Sequence, residues 1–161
     1  KVSAWFSIAA SVIFIIWVGI GYNDYKKTTG LAEEYENIDW ESAPDDVNYG
    51  ALYNKRYPVL KLAVERFVKN PAEDYEAFCQ ENAFWLDDYA LFMALKNAFG
   101  GISWHNWEQG IRNREEAAIA KAKADYAEDI LFWKVLQYFF FKQWFALKAY
   151  ANKKGIKITM K

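Results

Sequence analysis

Asp87 and Asp88 are the residues whose type and placement most invite a chemical reading, because two carboxylates in reach of one substrate can divide acid and base work. They stand in NPAEDYEAFCQENAFWLDDYALFMALKNAFGG, residues 70–101, whose apolar positions recur three or four apart. On such a helix, neighbouring residues point about 100° apart, so the two carboxylates do not face a common substrate. The other candidates are few. His105, the single histidine, lies in ISWHNWEQGIRNRE without Cys, Asp or Glu at ligand spacing, which gives no metal site. The single cysteine, Cys79, excludes an internal disulfide framework and a cysteine-based zinc site, and its place in the apolar pattern predicts a small buried hydrophobe. Trp104 and Trp107, three apart, suit either stacking on a sugar ring or stapling the loop to the body. There is no Gly-rich phosphate loop and no Ser/His/Asp set in a catalytic context. No residue qualifies as catalytic on these grounds, and no cofactor is implied.

The elements that must carry these residues are helical. Asn70 is expected to cap the 70–101 helix, with Pro71 in its first turn, Glu73 reaching back, and Gly100 and Gly101 ending it. Its predicted inner face holds Tyr75, Phe78, Cys79, Asn82, Trp85, Tyr89, Phe92, Met93 and Phe99. Upstream, VNYGALYNKRYPVLKLAVERFVKN predicts a helix kinked at Pro58, or a turn followed by a helix from Pro58 to Val68, with Leu60, Val64 and Phe67 as its stripe. Tyr49, Tyr53 and Tyr57 repeat at spacing four in the same segment. Downstream, residues 115–154 contain neither Gly nor Pro, and Ile119, Tyr126, Trp133, Phe140 and Leu147 recur every seventh position. One helix about 60 Å long is expected there, or two with a bend. Gly155 stops it, and GIKITM then alternates like the start of a strand.

Composition bounds the function classes. A net charge of −1 gives no electrostatic case for nucleic acid. With 8 Trp, 11 Tyr and 12 Phe, the chain carries rings enough for a rigid core and for sugar-stacking surfaces as well. Val2–Asn23 comprises 22 uncharged residues with Trp5, Trp17 and Tyr22 near the ends, a length that rises about 33 Å as a helix. A membrane anchor is expected there, with the alternative of a buried piece of a larger fold. Lys26 and Lys27 outnumber Lys1, so the bulk of an anchored chain is expected to face the cytoplasm; without the segment the expected location is cytoplasmic.

Several stretches together resemble one family. FCQENAFWLDDYALFMALKNAFGG, SWHNWEQGIRNRE and QYFFFKQWFALKAYANKKGIKI, preceded by GLAEEYENIDW and DDVNYGALYNKRYPVLKLAVERF, are similar in order and pattern to the 4-α-glucanotransferases (amylomaltase, disproportionating enzyme) over about residues 30–158. The resemblance implies a helical subdomain inserted between early strands of a (β/α)8 barrel, then a long helix leading back into the barrel. It implies chemistry on α-1,4-glucans such as maltooligosaccharides, starch and glycogen, through a glycosyl intermediate on an Asp and without metal or organic cofactor. It also places Tyr53 on the tyrosine that some members use at a second glucan site. The family's nucleophilic Asp and acid/base Glu fall beyond GIKI, where Thr159, Met160 and Lys161 replace the usual Gly-Asp strand, so no residue here inherits either role. The segment before Gly30 does not resemble the first barrel strands, and Glu108 stands where the family usually has Pro.

The expected fold class is therefore mainly α: an N-terminal transmembrane or fused segment over residues 1–25, a polar connector over 26–50, and a helical body over 51–161. Two functions follow. One is a truncated or fused piece of a 4-α-glucanotransferase, not catalytic alone and contacting glucan at Tyr53. The other is a membrane-anchored helical interaction protein. In either case FWKVLQYFFFKQWFALKAY is apolar nearly all round, so a partner or a barrel is expected against Phe139–Phe145.

Overall fold

The computed structural model describes residues 37–41 and 46–158, most of them helical. The first helix, α1, spans Tyr49–Lys69. Asn48 caps it, its side chain accepting from the Ala51 amide at 3.0 Å. Pro58 lies inside α1, and the helix continues through it instead of turning there. The ring deletes one amide, but Val59, Ala63, Val64 and Phe67 beyond it are buried, and that packing holds the segment helical.

Residues 70–101 form two helices, not one: α2 over Tyr75–Glu81 and α3 over Ala83–Ala98. The break falls at Asn82. Its side-chain amide donates to Phe78 O at 2.8 Å, beside its own backbone amide at 3.1 Å, while its carbonyl oxygen accepts from Trp85 Nε1 at 3.1 Å, so the side chain braces the junction between the two helices. Asn70 ends α1 instead of opening the next helix, its amide donating to Phe67 O. Gly100 and Gly101 stop α3 with φ of 65° and 79°, as their type demands. A 3₁₀ turn at Trp104–Asn106 and a single helical turn, α4, at Gln109–Arg112 follow. The long C-terminal segment is also divided, into α5 (Glu116–Asp125) and α6 (Ala127–Lys153), at Tyr126. Gly155 terminates α6 at φ 80°, the Ile156 amide reaching back to Ala151 O. Residues 156–158 form no strand.

The chain divides into two compact units, Ala72–Tyr138 and the rest. In the unit 72–138, Leu91, Leu95, Trp107 and Ala122 form a buried cluster with Phe99, Ile111, Ile119, Tyr126 and Ile130 packed on it. Leu86, Ala90 and Ala94 are fully buried on the same helix. The buried face of α3 is thus aliphatic and small. The rings predicted to form it are only partly covered, because they flank the face and reach over its edges. Cys79 is half-buried, not sunk in the core. In the other unit, Ile38 packs on Val59 and Ala63, and Phe67 meets Phe139 edge-on at 5.0 Å.

The expectation of a transmembrane element is corrected. Among the described residues no helix is long and apolar enough to cross a membrane. The longest, α6, has 27 residues but carries Glu128, Asp129, Lys134, Lys142, Lys148 and Lys153, which hydrocarbon would not tolerate. Val2–Asn23 lies outside the described residues. Length, apolarity and terminal aromatic rings do not distinguish an anchor from a buried run inside a globular fold.

Candidate functional site

The Asp87–Asp88 pair is disposed for structure. Asp87 is in an ion pair with Lys134 of α6 at 2.5 Å, and Asp88 with Arg114, ahead of α5, at 2.7 Å. Each carboxylate turns to a different cation on a different element, so the two share no substrate-sized space. Among the described residues no group of three or more His, Cys, Asp or Glu could hold a metal ion.

Tyr53 sits on α1 with 58% of its surface exposed, and its neighbour Tyr49 is exposed too. The Tyr53 ring leans on Tyr57, the centroids 4.7 Å apart and the planes at 54°. One face of the phenol is therefore supported from within the helix while much of the ring stays open to solvent. The tyrosines at spacing four form a surface stripe and do not enter the core.

Trp104 and Trp107 part company. Trp107 is 8% exposed, wedged against Phe92 at 5.3 Å and Phe99 at 5.4 Å. Its indole nitrogen has no hydrogen-bond partner among the described residues. Trp104 stays outside, stacked on His105. Glu108, at φ −49°, holds a backbone angle that proline also adopts, so Glu at this position leaves the turn's path unchanged.

The belt on α6 is mixed. Phe140 lies parallel to Trp144 at 6.4 Å and 8°, and Phe141 tilts against Phe145 at 5.8 Å. Phe140, Phe145 and Tyr150 nonetheless stay exposed.

Sequence reading missed the partners of the buried rings. Tyr138, 3% exposed, donates its hydroxyl hydrogen bond to Asp74, and Tyr75 and Phe78 meet its ring edge-on at 5.3 and 5.5 Å. Burial pushes the Tyr75 phenol well above its ordinary range, and a hydrogen bond with Cys79 adds to the rise. Tyr89 is raised by burial too, against a smaller lowering from its bond with Gln137. A separation of 64 residues joins Asp74 to Tyr138, and no local pattern announces it.

Comparison with known proteins is consistent across three kinds of match. Residues 6–161 match the family model described as 4-alpha-glucanotransferase. The 4-alpha-glucanotransferase of Clostridium butyricum is 43% identical over 126 residues, which cover 78% of this chain and 26% of that protein. That of Thermus thermophilus is 46% identical over 116 residues, covering 70% and 23%. Among solved structures, the amylomaltase from Streptococcus agalactiae in complex with acarbose is similar at a TM-score of 0.73 and 42% identity, covering 77% of this chain and 26% of that one. The chain thus spans about a quarter of the length of the relatives it matches. The family match begins at residue 6 and takes in most of the apolar run where an anchor was expected. That match, with the absence of a spanning helix among the described residues, overturns the membrane-anchored location.

Proposed function

The chain belongs to the 4-alpha-glucanotransferase family, and from that premise we propose that it forms the helical part of an enzyme acting on α-1,4-glucans, with Tyr53 as a glucan contact. The observation that carries the contact is the exposed Tyr53 ring backed by Tyr57. A phenol held in this way offers its flat face to the C–H groups of a glucose ring and its hydroxyl to a sugar oxygen. Because the neighbouring tyrosine already restrains it, little rotamer freedom is lost on binding. The exposed rings of the Phe139–Phe145 belt are the face we assign to the barrel that the resemblance implies. We assign no described residue the role of nucleophile or general acid; the part we assign to this chain is substrate contact and support.

Calorimetric titration with maltoheptaose, or with acarbose as a second probe, tests the reading on Tyr53→Ala. We expect binding to weaken by about tenfold, as losing ~1.5 kcal/mol of aromatic contact requires, with the melting temperature held. A mutant that binds as the parent does, or melts early as a core truncation would, removes Tyr53 from the site.

A further inference from the structure

We infer that the Trp104–His105 pair is a second contact for a neutral saccharide, an α-1,4-glucan chain, carried by the unit that does not contain Tyr53. The inference rests on the glucan reading proposed above and adds a site to it.

The turn that carries the pair is tightly fixed. The Asn106 amide donates to Ser103 O at 2.9 Å and the Trp107 amide to Trp104 O at 3.1 Å. Trp107 anchors the turn to the core, so the packing of this unit leaves Trp104 free for another role. With 46% of its surface exposed, Trp104 lies on His105, ring centroids 4.0 Å apart and planes at 29°. The histidine is itself held: its Nδ1 is 3.1 Å from Ser103 Oγ, and its carbonyl accepts from Arg112 Nη1 at 2.9 Å. Lys96 ties down the approach to the turn through the Gly101 and Ile102 carbonyls, at 2.6 and 3.0 Å. Both nearby cations are thus engaged with main-chain oxygens, which disfavours a phosphate or carboxylate ligand. A flat apolar surface remains, edged by the indole N–H and the second imidazole nitrogen. That combination suits the C–H face of a glucose ring with its hydroxyls at the rim. A surface already immobilised by six hydrogen bonds loses little conformational freedom on binding.

Because His105 is the only histidine, its ring protons are a single reporter on the whole chain. Proton NMR of the full chain titrated with maltoheptaose should show saturable shifts of both carbon-bound imidazole protons. Trp104→Ala should weaken the affinity they report by about tenfold, while Trp104→Phe retains a weaker response and keeps the site testable if the alanine variant unfolds. In Tyr53→Ala the affinity reported by His105 should be unchanged. If calorimetry detects maltoheptaose binding while the imidazole protons stay still and Trp104→Phe binds as the parent does, this second site is wrong and the Tyr53 reading stands. The absence of both heat and shift overturns the two together. Equal shifts with cellohexaose would overturn the α-1,4 assignment.

Discussion

At Tyr138 a ring in the interior carries a hydroxyl that must find a partner, and Asp74 supplies it as a carboxylate acceptor. A hydrogen bond to a charged group contributes more than a neutral one, but Asp74 is exposed and water can take over when the donor is removed. We therefore expect Tyr138→Phe to lower unfolding free energy by about 1–2 kcal/mol, read from urea midpoints at constant slope. Tyr75 and Tyr89 make a second claim at this scale. Both phenols are raised in the folded state, chiefly by burial. Above the ordinary value of 10.0 the unfolded chain loses these protons while the folded chain keeps them. The stability they contribute is thus fully present below pH 10.0 and is lost as pH rises through the folded values. In Tyr75→Phe the fall of the urea midpoint above pH 10.0 should be shallower than in the parent, and identical slopes would show that Tyr75 is not desolvated.

Pro58 tests how far packing overrides propensity within one element. A proline inside a helix costs about 3 kcal/mol relative to alanine, and its loss of unfolded-state entropy returns at most about 1 kcal/mol. Pro58 is exposed, so no core contact is removed with it. Pro58→Ala is therefore expected to stabilise the chain by about 2 kcal/mol, visible as a higher urea midpoint. The same override explains what the sequence did and did not disclose. Helix ends that depend on local chemistry were legible: Gly100, Gly101 and Gly155 adopt the positive φ that their type permits. The break at Asn82 was not, because that residue sits in phase with the apolar pattern and the helix divides there without disturbing it. Tyr126 divides α5 from α6 with the heptad repeat running straight across it. The identity of the buried face was also illegible, since periodicity selects an angle but not which of two adjacent rows lies innermost. On α3 the innermost row is Leu86, Ala90, Leu91, Ala94 and Leu95. At the candidate site, the exposure of Tyr53 and the opposite fates of Trp104 and Trp107 required coordinates, because spacing places all three on surfaces without saying which are covered.

At the scale of the whole chain, family membership does not by itself carry catalytic capacity. Glycosyl transfer through a covalent intermediate needs two carboxyl groups about 5–5.5 Å apart on either side of one glycosidic bond, one as nucleophile and one as acid and base. The best-placed candidates among the described residues are Asp87 and Asp88, and each is drawn to its own cation, Lys134 and Arg114. Removing Lys134 would free Asp87 without bringing it opposite Asp88, since the two still project from successive positions of one helix. The chain as given should therefore bind glucan without processing it. Incubated with maltotriose, it should release no glucose and produce no longer oligosaccharides above a mock preparation, and Asp87→Asn and Asp88→Asn should change melting behaviour alone. Turnover by the parent that either substitution abolishes would place the chemistry on this helix after all.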